Sequence, residues 1–439
     1  MLRVALANAS KKLKYSASFY QSSIGLVLLS RNPLPRQPEV NIGSLGHVEN
    51  GKSTLVQALT GTWTARHSEE IRRGITIRIG YADAAFYRCT SCGTYGISEV
   101  CPKCGSPAEF QRAVSFVDCP GHHSLMITML SGTALTDGAL LVLSATEKCP
   151  QPQDREHFAA AQIVGINKLV IVQNKIDVVT KERILENHRE IQEFIKGTIA
   201  EKAPIIPLSA QRGINIDVLI AAIQEHIPTP TRDLTKPPIM SILRSFDVNR
   251  PGTPALEIQG GVIGGSILQG RFRTEDEIEI RPGIHVDKGG KSYYEPLLTK
   301  ITSLQAGGRT VKEAVPGGLI GMGTLLDPSL GKADNLVGNV VGHPGKLPPV
   351  LNHLVLEVKL LEKVVGTETQ ATTERIKTNE PLVLNTGAAV SSGIVTSARN
   401  GIVEIALRRP VCIEPNARVA LSRRIGDSWR LIGFGIPTT

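Results

Sequence analysis

Residues 40–59 read VNIGSLGHVENGKSTLVQAL. Val40–Leu45 has the make-up of a short buried strand, and Ser53–Leu59 opens a helix. Between them, Gly46-His47-Val48-Glu49-Asn50-Gly51-Lys52-Ser53 fits G-x-x-x-x-G-K-[ST]. Consecutive backbone N–H groups in such a turn wrap a phosphate, and the N-terminus of the following helix adds a favourable dipole. Lys52 is expected to reach the β- and γ-phosphates and Ser53 to offer its hydroxyl to Mg²⁺. Glu49, Asn50, Gly51 and Thr54 complete the expected cradle. An ordinary glycine turn would not require this strand–turn–helix setting.

The alternation continues downstream. Val114–Asp118, Gly138–Ser144, Lys168–Gln173 and Pro204–Ser209 read as strands. His122–Ser131, Gln153–Val164, Lys181–Thr198 and Ile216–Ile227 read as helices. Strands alternating with helices predict an α/β P-loop domain over residues 39–232, with a mostly parallel, doubly wound sheet. The apolar run of Gly138–Ser144 suits a strand covered on both faces. Pro228, Pro230, Pro237 and Pro238 then mark a linker. Beyond it, short β-rich runs such as Leu256–Ile258, Arg271–Phe272, Glu277–Ile280 and Leu319–Gly321 are separated by Gly and Pro. A second break falls at Gly342–Pro349. Two all-β, barrel-like domains are expected, over residues 233–345 and 346–439.

Further motifs fall at strand ends, where ligands of such sheets bind. Asp118-Cys119-Pro120-Gly121 follows a strand. Asp118 is expected to hold Mg²⁺ through water, and the Gly121 N–H to sense the γ-phosphate. Asn174-Lys175-Ile176-Asp177 ends the fourth predicted strand. There the Asp177 carboxylate can accept from guanine N1–H and N2–H, which adenine does not match. Asn174 is placed to contact N7 and the Lys175 stem to cover the ring, with Ser209-Ala210-Gln211 adding backbone contacts to O6. Arg73-Gly74-Ile75-Thr76 lies between the phosphate loop and Asp118. A threonine there can ligate Mg²⁺ only when the γ-phosphate orders its loop, which makes a switch. Alone, each of these is a common turn; their order along one sheet edge is what carries the reading.

Cys89-x2-Cys92-x8-Cys101-x2-Cys104 uses four of the seven cysteines. Two CxxC pairs can set four thiolates tetrahedrally around Zn²⁺, and a closed shell of four is structural rather than catalytic. The insert is expected over residues 86–107. The remaining cysteines are scattered, which suits a reducing compartment. The net charge of +9 is unevenly spread. Residues 1–38 hold six basic side chains and no acid, whereas residues 39–232 carry 19 basic and 20 acidic ones. This permits RNA binding without demanding it. The basic, Ser-containing stretch 1–38 reads as a disordered extension or an early start codon; a transit peptide has the same composition. No apolar run approaches the ~18 residues of a membrane span.

G-H-V-x-x-G-K-[ST], R-G-I-T-I at 73–77 and D-C-P-G-H at 118–122 resemble the signatures of translational GTPases, elongation factor Tu and its relatives. Within that superfamily, the chain is most similar to the gamma-subunit family of archaeal and eukaryotic translation initiation factor two. The segments carrying this are the four-cysteine insert, His67–Ala82, Ser131–Ile176 and Gly260–Phe272. The likeness spans residues 39–439. It implies a cytoplasmic GTPase that carries methionylated initiator tRNA to the small ribosomal subunit, in a heterotrimer with alpha and beta subunits. It implies His122 as the hydrolytic histidine (His123 being less favoured), Val48 and Ile75 as an apolar gate, and Tyr81 as a tRNA contact. Where the superfamily usually has Asp-His, this chain has Glu49-Asn50; GTP binding is expected to survive, since both precede Gly51-Lys52-Ser53. Two other readings stand beside it: another tRNA carrier, such as an elongation factor for selenocysteine, or a GTP-dependent scaffold. The two β-domains weigh against the scaffold.

Overall fold

The computed structural model describes residues 34–64, 76, 78–366 and 372–438. Ile75, with Arg73 and Gly74, lies outside the described residues. The first domain is built on β1 (Val40–Leu45), β2 (Gly80–Cys89), β3 (Tyr95–Gly96), β4 (Ala108–Asp118), β5 (Gly138–Ser144), β6 (Leu169–Asn174) and β7 (Ile205–Pro207), in the order β3-β2-β4-β1-β5-β6-β7. The β4, β1, β5, β6 and β7 neighbours run parallel, whereas β2 pairs antiparallel with β4 and β3 antiparallel with β2. The sheet is therefore mixed. Its antiparallel half was not legible, because β2 begins Gly-Tyr-Ala-Asp-Ala-Ala, a run of low β-propensity held by its pairing with β4.

The described helices of this domain are α1 (Lys52–Thr60), α2 (Met126–Thr133), α3 (Pro152–Val164), α4 (Lys181–Ile195) and α5 (Ile216–His226). Side chains of a strand alternate between faces. Ala139, Leu141 and Leu143 of β5 enter one core with Met129 of α2, Phe158 of α3 and Ile191 of α4. Leu140 and Val142 enter the other with Leu55 of α1 and Ile220 of α5. That two-sided burial explains the uninterrupted apolar run. Pro152 at the start of α3 and Gly165 at its end, with φ +94°, bound that helix.

Two antiparallel barrels follow. In the first, Ile239–Phe246, Val262–Gln269, Ile320–Thr324, Lys291–Ala306, Glu277–Lys288 and Val340–Gly342 pair in that order, and the last returns to the first. Met240, Ile242, Ile263, Ile280, Ile301 and Met322 fill it. The second closes Val350–Leu360, Ile402–Cys412, Ala389–Arg399, Pro381–Thr386, Val419–Ile425 and Ser428–Pro437 around Leu356, Leu384, Val395, Ile405 and Leu421. Closure removes the exposed edges of an open sheet. Leu256–Ile258 is not a strand: Ala255–Glu257 forms a single 3₁₀ turn behind Pro254, and Leu256 is fully exposed. The expectation of disorder as far as residue 38 also gives way. Leu34 is buried against Ala85, Tyr87 and Ala113, its N–H donates to Gly307 O at 3.0 Å, and Gln37 Nε2 donates to Gly317 O at 2.8 Å. Residues 34–38 thus pack between the first domain and the first barrel. Among the described residues no helix is long and apolar enough to cross a membrane.

Candidate nucleotide site

The phosphate loop joins β1 to α1 at the C-terminal edge of the sheet. Gly51 takes φ +83°, and a Cβ there would lie 2.7 Å from Asn174 Nδ2, so only glycine fits the turn. The Lys52 ammonium is buried and donates to Gly46 O and His47 O, both at 2.9 Å. Burial pushes its pKa down, and Asp118, Cys119 and Asp154 oppose that. Val48 opens a short 3₁₀ turn with the exposed Glu49 and the buried Asn50, while Thr54 sits in the first turn of α1.

Next to Lys52, oxygens converge. Ser53 Oγ lies 2.9 Å from Thr76 Oγ1 and donates to Asp118 Oδ2 at 2.6 Å. Thr64 Oγ1 also donates to Asp118 Oδ2, and Ser44 Oγ to Asp118 Oδ1. Two hydroxyls and a carboxylate form a hard-oxygen donor set, the kind that fits Mg²⁺. The sequence reading found three of these residues; Ser44 and Thr64 carry no motif. Gly121 rests against the loop, where a Cβ would come within 2.7 Å of the Val48 backbone. His122 follows as the cap of a short turn, its Nδ1 accepting from Ser124 N and paired with Ser124 Oγ at 2.8 Å.

The residues expected to select the base gather at the ends of β6 and β7. Asn174 Nδ2 donates to Asn50 O at 2.8 Å, and its Oδ1 accepts from Ala210 N at 3.0 Å, so one side chain ties the phosphate loop to Ser209-Ala210-Gln211. That leaves one amide hydrogen of Asn174 for a base. Lys175 takes φ +64°, and the Asp177 carboxylate lies 3.8 Å from Arg212 Nε. Ser209 and Ala210 are buried and Gln211 is exposed. Tyr81 stands apart from this group: on β2 it packs against Leu135, Leu243, Leu319 and Ala388, where all three domains meet. Its hydroxyl is buried and has no hydrogen-bond partner among the described residues, and that burial pushes its pKa up.

Two residues of α3 were missed as individuals. Asp154 Oδ1 accepts from His47 N at 2.9 Å and Asn50 Nδ2 at 3.0 Å, and His157 Nδ1 accepts from Gly46 N at 3.1 Å. The one sequence signal was the Gln151-x-x-Asp154 spacing of a helix cap.

The four cysteines form a separate cluster at the outer end of β2. All four sulfurs lie within 4.8 Å of one another, with Cys89–Cys104 at 3.4 Å and Cys92–Cys101 at 3.6 Å. Tetrahedral sites with Zn–S of about 2.3 Å space their sulfurs at about 3.8 Å, so the set fits zinc. Gly93 and Gly105 take φ +69° and +73° to turn the chain back on the sulfurs. The Thr94 hydroxyl and amide beside Cys92 pull its thiol down to about 6.

Residues 37–229 match the family model described as "Elongation factor Tu GTP binding domain", and residues 352–437 match "Initiation factor eIF2 gamma, C terminal". The mixed sheet, the phosphate loop and the two closed barrels define a translational GTPase, whose first domain binds guanine nucleotide with Mg²⁺. Translation initiation factor 2 subunit gamma of Pyrococcus furiosus is 60% identical over 401 residues, covering 91% of this chain and 98% of that protein. The Archaeoglobus fulgidus protein of the same name is 57% identical over 423 residues, 96% and 98% of the two chains. The chain belongs to the gamma-subunit family of translation initiation factor 2. Among solved structures, a bacterial selenocysteine-specific elongation factor aligns with a TM-score of 0.70 at 21% identity, over 91% of this chain and 59% of that one. Translation elongation factor SelB from Methanococcus maripaludis aligns with a TM-score of 0.67 at 20% identity, over 92% of this chain and 80% of that one. Both show the shared fold.

Proposed function

We propose that this GTPase delivers methionylated initiator tRNA to the small ribosomal subunit in the cytoplasm, working in a heterotrimer with alpha and beta subunits. The observation that carries the reading is the juxtaposition of Ser53, Thr76 and Asp118 beside Lys52, in a chain 60% identical to a named initiation-factor gamma subunit. Ser53, Thr76 and Asp118 would hold Mg²⁺, which when bound neutralises charge developing on the phosphates. Lys52, steadied by the Gly46 and His47 carbonyls, presents its remaining N–H to the β- and γ-phosphates, and Gly121 N–H reports the γ-phosphate. Asp177 and Asn174 read the guanine edge, with Lys175 and Ser209-Ala210-Gln211 closing around it. His122 leaves Ser124 to orient the attacking water, behind the apolar gate of Val48 and Ile75. Cys89, Cys92, Cys101 and Cys104 would hold Zn²⁺ as a structural clasp.

A cavity of about 690 Å³ between the first domain and the first barrel supports the RNA part of the reading. It is lined by Arg78, Arg244, Phe246, Arg250, Lys332 and Asp334, with the Arg244 guanidinium 5.1 Å from the Phe246 ring centroid and Asp334 pairing with Arg244 at 2.9 Å and Arg78 at 3.6 Å, which leaves the basic side chains in excess. Cationic groups around an aromatic face suit an unpaired RNA end. Tyr81 lies under the same junction, so its contact with tRNA requires the domains to part. The test is binding of the chain, assembled with its partner subunits, to methionylated initiator and elongator tRNA at physiological salt, with a non-hydrolysable GTP analogue or GDP. Tighter initiator binding with the analogue is expected. Equal binding of all charged tRNAs would instead mark an elongation factor, and no tRNA binding with intact GTP binding a scaffold.

A further inference from the structure

Beside its internal Lys52 bonds and its ties to β5 and β6, the phosphate loop is held from outside by α3. Three donors of the loop reach this helix. Gly46 N reaches His157, while His47 N and Asn50 Nδ2 both reach Asp154 Oδ1. The second oxygen of Asp154 accepts from Gln151 N at 3.0 Å. Capping α3 uses one carboxylate oxygen, and the other is given wholly to the loop. Asp154 and His157 are each 2% exposed, so water does not substitute for them. Three N–H donors converge on one carboxylate. A neutral amide in its place would have to turn a donor toward donors, or leave one of them buried and unpaired.

The same contacts give Asn50, half of the Glu49-Asn50 departure, a place in the fold. Asn50 Nδ2 spans Val142 O at 2.8 Å and Asp154 Oδ1 at 3.0 Å, which makes its side chain a strut between β5 and α3. Glu49, by contrast, is exposed. Lys52 takes both of its carbonyl partners from Gly46 and His47, the residues α3 holds. A slackened loop would therefore misplace the lysine and the backbone N–H groups at once, and errors near 1 Å in a positioned group are costly.

From this we infer that Asp154, seconded by His157, is a positioning residue for the phosphate loop: it fixes the loop through His47 and Asn50 and so sets how tightly nucleotide is retained. The experiment uses the full chain and measures release of a fluorescent GDP on chase with unlabelled GDP, alongside melting without nucleotide. Asp154→Asn is expected to speed release at least ~10-fold. Gln151→Ala, which disturbs the same helix cap without touching the loop, is expected to stay within ~2-fold even where its melting point falls as far. Asn50→Ala leaves the α3 cap intact and is expected to speed release several-fold; combined with Asp154→Asn it should add little, because both remove one contact. Release from Asp154→Asn at the unaltered rate, or equally fast release from Gln151→Ala, overturns the inference. Should Asp154→Asn fail to fold, Asn50→Ala decides alone, and an unaltered rate there overturns it equally.

Discussion

Asp118 accepts from three hydroxyls in the present arrangement, those of Ser44, Ser53 and Thr64. Ser44 and Thr64 fix the carboxylate; Ser53 and Thr76 share the face it turns toward Lys52. Gly121 closes this side, with no room for a methyl group against Val48. Gly121→Ala should therefore hold the turn off the loop and slow single-turnover GTP hydrolysis by ~10-fold or more, with GDP affinity little changed. A variant hydrolysing at the normal rate would show that the turn moves away anyway. At the base end, Asp177→Asn replaces two acceptor oxygens with one acceptor and one donor. Guanine affinity should fall by ~10²-fold or more, and a xanthine nucleotide, whose C2 carbonyl suits the new donor, should gain. Direct titration with both nucleotides checks this; an unchanged preference removes Asp177 from base selection. These positions could be singled out in the sequence because each motif gathers its residues within a few positions. Asp154 could not, since its partners lie about a hundred residues upstream and a lone acidic residue in a first helical turn usually signals only a cap.

Helix α3 ties more than the loop. Glu156, between Asp154 and His157, meets Arg430 of the second barrel at 3.1 Å, and Arg418 Nη1 donates to Gln162 O at 3.0 Å and Ile163 O at 3.1 Å near the helix end. The cation at the C-terminal carbonyls satisfies groups the helix leaves open. Burial pushes the Glu156 carboxyl from the ordinary 4.5 up to about 7, with Arg430 pulling the other way. A carboxyl raised on folding binds its proton more tightly in the native state. Its contribution is thus fully present below about pH 4.5 and is lost as pH rises through about 7. At ~1.4 kcal/mol per unit, the span is on the order of 3 kcal/mol. Glu156→Gln should flatten this part of the stability profile, as read by denaturant unfolding between about pH 5 and pH 8. Parallel slopes in both proteins would place the ionisation elsewhere. Elements themselves were read well where pattern was strong: β1 and β5 fall at the predicted ends. The strand β2 was lost because its alanines and aspartate carry no alternation, and its order comes chiefly from its long pairing with β4.

The contacts between domains were illegible for a related reason: a buried polar group joining segments hundreds of residues apart has no period. Asn41 is the plainest case. It sits on β1, 3% exposed, and its side chain donates to Leu135 O at 3.1 Å and to Ser266 Oγ at 3.0 Å while accepting from Gly318 N at 2.8 Å. Its backbone N–H donates to Asp137, whose carboxylate also pairs with Arg232 of the linker. One side chain thus satisfies groups of the nucleotide domain, of a barrel strand and of the bend that leads into another, beside the apolar junction where Tyr81 packs. Asn41→Ala would leave Gly318 N, Ser266 Oγ and Leu135 O facing a methyl group. Buried groups left unpaired cost about 1–3 kcal/mol each, and partial relaxation suggests a net loss of about 2–4 kcal/mol. Because the missing bonds lie between domains, the nucleotide site should survive while the domains uncouple. Calorimetry should then resolve a broadened or split transition, with the nucleotide domain still stabilised by GDP and the first barrel no longer following it. A single transition at the unaltered midpoint would mean that Asn41 bridges the domains without holding them. The junction would then rest on its apolar contacts and on the segment 34–38.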